Sequence, residues 1–410
     1  MRLSNTRSMT EHALEAHRGV LRLAPTWVPR VFCRPGRRLK LHPDDLFALG
    51  AARGGIDERW LASTIPADNG PRTPPAEGMS EVVVDEEGHQ RMLLRDAVAE
   101  LPRAMIGEEL WRVHSGWPVY SKFFDNQGPL PFHVHQRDED VASLGLRGKP
   151  ESYYFPPQMN NHPGDFPLTF FGLAQGANRD SVRERLAAFT SGDNRITDLS
   201  VAYRLTPGTG WDVPPGVLHA PGSLCTYEPQ AASDVYSMWE SLVDGRVLGE
   251  ELLWKDTDPG IHGDLDALIR LLDWDANLDP EFRTRRFMAP RAAADPALTS
   301  PEGYIERWVS WRSPHFSAKE LTILPGASVL SRDAAAHGII SVQGSGVLQG
   351  RRIHTPTMIR FGELTHDEFF IAHDAAVEGV TITNPGSEPL VLLKHFGPDL
   401  PSPSRQASAG

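Results

Sequence analysis

From residue 81 onward, short runs of alternating apolar and polar positions are separated by turn-forming residues: EVVVDEEG, WPVYSKFFDNQGPLPFHVHQ, ESYYFPP and FPLTFFGL. Such a period of two, repeated at short intervals, predicts the strands of an all-β sandwich or barrel. A second series follows later in ELTILPGASV, GIISVQGSGVLQG, EFFIAH, GVTITNP and PLVLLKHFG. Two stretches break the alternation with helical spacing. RDSVRERLAAFTSG (179–192) sets Val182, Leu186 and Phe189 on one side and stops at a glycine. GDLDALIRLLDW (263–274) places Leu265, Leu268, Ile269 and Leu272 at helical intervals. A short helix is also expected at DDLFALGAARG, inside a basic, mixed lead-in that runs from residue 1 to about 55.

Turn residues mark the joints. PADNGPRTPPAEGMS (66–80) and the proline- and alanine-rich segment 289–301 cannot be regular structure throughout, and 401–410, PSPSRQASAG, reads as a disordered tail. The layout is therefore a first β domain over 1–255 with a helical insert around 173–197, a helical bridge over 256–300, and a second β domain over 301–400. At 410 residues the chain is long enough for two such domains, and its 36 Gly and 35 Pro favour many turns and short strands.

Charge and cysteine content narrow the functions. A net charge of −12 argues against nucleic-acid or anionic-membrane partners, which need a basic footprint. Cys33 and Cys225 alone make neither a disulfide framework nor a four-cysteine zinc site. The N-terminus has no apolar run suited to a signal peptide, and no stretch approaches the ~20 apolar residues of a membrane helix. A cytoplasmic protein is the expectation.

Chemistry concentrates at PFHVHQ, residues 131–136. On a strand, residues two apart share a face, so His133 and His135 project together. Alone, such a pair is more often a hydrogen-bonded structural feature than a ligand pair. Glu151, in GKPESYYF, and His219, in PPGVLHA after a tight turn, change that balance. Three imidazoles and one carboxylate on neighbouring strands form a set that suits zinc, iron(II), manganese or nickel about equally.

Over residues 58 to 400 the chain resembles the type I phosphomannose isomerases, zinc-dependent members of the cupin superfamily. The motifs are ERWLAS, AEGMSEVVVDEEG, YSKFFDNQGPLPFHVHQ, GKPESYYF, PPGVLHAPGSLCTYEPQAASDVYSMW and FSAKELTILPG. The resemblance implies a mainly β fold, a double cupin of jelly-roll β-barrels with a small helical insertion, whose C-terminal barrel holds no metal. His135, Glu151 and His219 fall on the family's ligand positions, and His133 stands where its glutamine is usual. The implied ion is zinc, with iron(II), manganese and nickel as alternatives. The implied activity is aldose–ketose isomerisation of a hexose or hexose phosphate through an enediol, with a carbohydrate as the small-molecule partner. Lys149 and Glu228 are implied to lie at the sugar as catalytic groups.

Two departures keep other readings open. His133 completes a three-histidine, one-glutamate set that also serves iron(II) cupin oxygenases. Met238, in SDVYSMW, stands near the place of an arginine that the family sets beside the sugar, and no arginine lies between Arg204 and Arg246. Either Lys122, Arg137 or Arg147 compensates, or the chain is a non-catalytic sugar-binding cupin. His337, His366, His373 and His395 form no similar pair and are expected to be structural, and Tyr153, Tyr154, Phe155, Phe170 and Phe171 are expected to pack a barrel wall. QGSGVLQG is not a phosphate loop, because neither Lys-Ser/Thr nor a helix follows it.

Overall fold

A computed structural model describes residues 5–161, 166–400 and 402–403. Apart from Ser402 and Pro403, the tail expected at 401–410 lies outside the described residues. The fold is mainly β, and the strands fall where the alternating runs predict them. A seven-stranded antiparallel sheet is ordered Phe287–Met288, Gly210–Val213, Glu151–Tyr154, Thr226–Ala231, Val119–Phe124, Gly55–Leu61, Thr26–Arg30. A second seven-stranded sheet is ordered Val20–Arg22, Glu368–Ile371, His337–Gln343, Leu390–Phe396, Ser317–Ile323, Tyr304–Ser310, Arg291–Ala292. A smaller sheet closes each into a barrel. The first contains Leu168–Phe171, His219–Ala220 and His133–Val134, and the second contains Ser345–Leu348, Val380–Thr383 and Ser328–Ser331.

Read in chain order, the two halves place equivalent strands in the same sequence of neighbours. The opening strand of each half is lent to the other. Val20–Arg22 pairs with Glu368–Ile371 of the second barrel, whereas Phe287–Met288 pairs with Gly210–Val213 of the first.

The two large sheets pack back to back, which explains why their central strands are buried on both faces. Along Val119–Phe124, Lys122 and Phe124 point into the first barrel, while Ser121 and Phe123 point at the second. Along Leu390–Phe396, Leu390, Leu392 and Lys394 point into the second barrel, while Leu393 and His395 point back at the first. Phe123, Tyr227, Leu61, Ala318, Ile340 and Leu393 share one apolar cluster across this contact. Polar ties cross it as well: Tyr154 donates to Glu320 at 2.7 Å, and Ser152 and Ser310 meet at 2.6 Å.

The helical insert appears as Arg179–Ala187, opened by Asn178 whose side chain accepts from the Ser181 amide. The second helical stretch is shorter than its apolar spacing suggests, Leu265–Ile269, capped by Asp264. DDLFALGAARG does not form an α-helix. It folds as two 3-10 turns, Pro43–Asp45 and Ala51–Arg53, because Gly50 and Gly54 sit at φ of 106° and 86° and break the run. The Leu46 carbonyl instead accepts from Ile56, tying the segment to the sheet.

Helices not anticipated from the sequence are Thr6–Ala16, Leu94–Glu100, Pro102–Ile106 and Glu108–His114. Their buried faces (Ala13, Leu94, Ala97, Val98, Met105, Ile106 and Leu110) pack with Phe370 and Ala372 in one core. No helix among the described residues is long and apolar enough to cross a membrane.

One buried ion-pair group spans the two barrels. Arg59 donates to both Asp367 oxygens at 2.8 and 2.9 Å and to Glu368 at 3.1 Å. Removing one partner of such a group strands the other charges out of water. Arg59→Ala is therefore expected to cost about 3–5 kcal/mol of stability. Denaturant unfolding should show this as a lower midpoint. A midpoint equal to the parent's would show that the pair does not hold the barrels together.

Candidate metal centre

The four candidate ligands come from two paired strands of the small sheet and one strand of the large sheet. His133 pairs directly with His219 across the small sheet. His135 follows two residues on, so it projects to the same side. His219 is delivered by the PPG turn, in which Gly216 has φ +80°, and the Gly216 amide donates to the His135 carbonyl at 2.8 Å. Glu151 begins the strand Glu151–Tyr154 of the large sheet, opposite Val213 and Gln230.

All four side chains are buried, at 5% exposure or less. His133, His135 and His219 bring ligand nitrogens within 4.8 Å of one another. Glu151 Oε2 lies 2.9 Å from His135 Nε2, and Oε1 lies 3.3 Å from His219 Nε2.

The tautomers decide what this cluster can hold. Each Nδ1 faces a backbone carbonyl: His133 that of Pro131 at 2.6 Å, His135 that of Val235 at 2.8 Å, and His219 that of Val217 at 2.8 Å. A carbonyl only accepts, so each Nδ1 carries the proton and each Nε2 presents a lone pair to the centre. Burial and the neighbouring imidazoles hold His133 well below the usual histidine range, and burial and Lys149 bring His135 down to about 3. These two rings are thus neutral at ordinary pH. Burial alone would raise the Glu151 carboxyl, but the Lys149 ammonium foremost overcomes it and holds the group well below the usual carboxylate range. Lone pairs from nitrogens and a carboxylate therefore converge at close range, and His219 Nε2 accepts no hydrogen bond. The donor set fits a divalent cation.

Around this cluster runs a row of buried groups that alternate between acidic and basic side chains. Lys149 Nζ lies 3.1 Å from Glu151 and 3.6 Å from Glu228. Glu228 is 3.3 Å from Lys122, and Lys122 is 3.0 Å from Glu58. Glu58 meets Arg30 at 3.0 Å, and Arg30 meets Asp234 at 2.9 Å. The register places Lys122 between Trp60 on one neighbouring strand and Glu228 on the other. Burial, with Glu151 adding to it, pushes the Glu228 carboxyl up to about 8 despite Lys122 and Lys149. Burial also opposes ionisation of Glu58, but Arg30 and Lys122 bring it down to about 2.

Of the three proposed substitutes for an arginine at 238, only Lys122 is here. Arg137 binds Asp140 on the following helix, and Arg147 lines a surface groove with His114 and His315. Met238 is buried and pairs in register with His133. Arg30 and Tyr153 are additions that the sequence reading missed. Arg30 ends an edge strand far from the motifs, whereas Tyr153, expected in the wall, donates its hydroxyl to Glu151 Oε1 at 2.5 Å. Tyr153, Phe155 and Phe171 all pack the wall, as expected.

The later histidines stay apart from the centre. His366 meets Arg22, His395 meets Ser121 and Tyr227, and His373 begins the short helix His373–Glu378. Asp85, Glu87 and His89 also cluster, on a hairpin turn, but Asp85 there accepts from the His89 and Gln90 amides.

No family model and no curated protein sequence matches the chain. Solved structures do match its fold. A mannose 6-phosphate isomerase from Bacillus subtilis aligns with TM-score 0.58 and 16% identity, over 92% of this chain and 99% of that one. A variant of the phosphomannose isomerase from Salmonella typhimurium aligns with TM-score 0.60 and 14% identity, over 92% and 99%. A mannose 6-phosphate isomerase bound with zinc and yttrium aligns with TM-score 0.60 and 15% identity over the same shares. The double-barrel fold expected from the motifs is thus the fold of these isomerases.

Proposed function

We propose that His133, His135, Glu151 and His219 hold a divalent metal, zinc in first place, and that the centre isomerises a hexose or hexose phosphate between aldose and ketose. The observation that carries this reading is the placement of Glu228 between two lysines, one of which also touches the ligand carboxylate. When bound, the ion would steady the negative charge that develops on the enediol oxygen.

Isomerisation moves a proton between adjacent carbons, so it needs one group able to take the proton and return it. Glu228 suits this task because its pKa of about 8 lies near a working pH. Lys122 and Lys149 stabilise its ionised form from either side. Lys149 also reaches His135 Nε2 at 3.2 Å, which sets its ammonium beside the carbonyl end of a bound sugar. Tyr153 fixes one Glu151 oxygen and leaves the carboxylate aimed at the imidazoles. An iron(II) oxygenase needs the same ligands but gives no role to the Lys122–Glu228–Lys149 row.

Zinc titration of chelator-treated protein should give closely similar affinities at pH 6 and pH 7.5, because protons compete with His135 only near pH 3. A steep loss of affinity between those values would contradict the neutral, carbonyl-locked imidazoles. His219→Ala should abolish stoichiometric metal in elemental analysis while the far-UV spectrum is kept.

In a coupled assay with mannose 6-phosphate, fructose 6-phosphate and free mannose, the metal-loaded protein should turn over at least one hexose. Glu228→Gln should lower kcat by about 10²–10⁴ with metal content unchanged. Oxygen uptake with iron in place of zinc would favour the oxygenase. No turnover of any hexose would leave a binding protein.

A further inference from the structure

The second barrel repeats the strand register of the first, and it places charged groups at matching positions. In the first barrel Trp60 pairs with Lys122, and Lys122 pairs with Glu228. In the second, Trp308 pairs with Lys319, and Lys319 pairs with Lys394. Even the local sequence recurs, as Glu58-Arg59-Trp60 and Glu306-Arg307-Trp308. Glu306 reaches Lys319 at 3.2 Å, as Glu58 reaches Lys122 at 3.0 Å.

Two residues beyond Glu228, Gln230 pairs with the ligand Glu151. Two residues beyond Lys394, Phe396 pairs with His337. His337 therefore occupies the Glu151 position. Its Nδ1 faces the Ala335 carbonyl at 2.9 Å, two residues back, as His133 and His219 face theirs. Its Nε2 is turned toward Asp333, 3.9 Å away. Ser331 and Asp333 lie on and just beyond the strand that stands where His133–Val134 stands in the first barrel.

We infer that the second barrel contains a copy of the metal centre whose cation position is filled by the Lys394 ammonium. That side chain is fully buried, and its Nζ lies 2.7 Å from Asp333, 3.2 Å from Ser331 and 2.5 Å from Glu306. Lys319 adds a second ammonium 2.7 Å from the other Asp333 oxygen. An ammonium on a tether needs no ion from solution, and its charge balances the carboxylates that a metal would otherwise meet. The second barrel differs at the ligand positions as well, with Val380 opposite Ser331 where His219 stands opposite His133, and at the Glu228 position the proton-moving carboxylate becomes the resident cation, Lys394. Removing the Lys394 ammonium frees Asp333 Oδ2 and Glu306 Oε1 while Lys319 stays on the other oxygen of each, and with His337 Nε2 these make a mixed oxygen and nitrogen set suited to zinc or manganese.

Elemental analysis after zinc loading and desalting tests this directly. His337→Ala should leave the ion count of the otherwise intact chain unchanged, whereas Lys394→Ala should raise it by one per chain. A fall on His337→Ala, or no gain on Lys394→Ala, overturns the inference. The comparison is a difference, so it stands whether the first centre takes one ion or none.

If Lys394→Ala does not fold, thermal unfolding of Lys394→Met and of Lys394→Met/Asp333→Asn decides. The single variant should lose several degrees in Tm, and the double variant should regain most of that loss. A single variant as stable as the parent, or a double variant worse than the single, overturns the inference.

Discussion

A charge inside a β-barrel is tolerable only beside its opposite, because water is not there to screen it. In this chain the strand register decides which charges meet. Asp234, Arg30, Glu58, Lys122, Glu228, Lys149 and Glu151 follow one another as alternating acidic and basic side chains, each within 3.6 Å of the next. The row ends on a carboxylate facing three imidazole lone pairs. The row thus ends on a donor set of the kind that a divalent cation fits.

The constraint is enforced by a sheet with no solvent face. Central strands such as Val119–Phe124 and Thr226–Ala231 line the centre with one set of side chains and bind the second barrel with the other. A register slip of one residue would carry Lys122 and Glu228 into the apolar contact around Phe123 and Tyr227. The back-to-back packing of the barrels therefore protects the geometry of the centre. It also explains why the first strand of each half completes the other's sheet: neither barrel closes its own edge.

Features legible in the sequence were local. The i, i+2 histidines, the PPG turn before His219 and the alternation of the strands each carry their meaning within a few residues. Glu151 and Glu228 needed the resemblance to become more than two carboxylates among many. Arg30 had no local signal, since an arginine closing a Trp-Val-Pro-Arg run says nothing of the Glu58 it will meet across a sheet.

The helices over 94–114 did carry helical spacing in Leu94, Ala97, Val98 and Leu101, but they are short and broken at Pro102 and Gly107, and strands flank them. The repeat of Glu-Arg-Trp was present as well. Its significance lies in the lysine that each tryptophan faces, and that pairing exists only once the strands are aligned.

The methionine at 238 takes on a different sense in this frame. Arg30 is the arginine that enters the charged row, yet it is committed to Asp234 at 2.9 Å and Glu58 at 3.0 Å and stays fully buried. Its planar fork is thereby spent within the protein and is not a free replacement for a sugar-facing arginine. The cations nearest the candidate ligands and Glu228 are two lysines, point charges that steady a carboxylate without gripping a planar group. The lysines and Glu228 therefore form one buried group, and Met238, paired in register with His133, adds no charge to it.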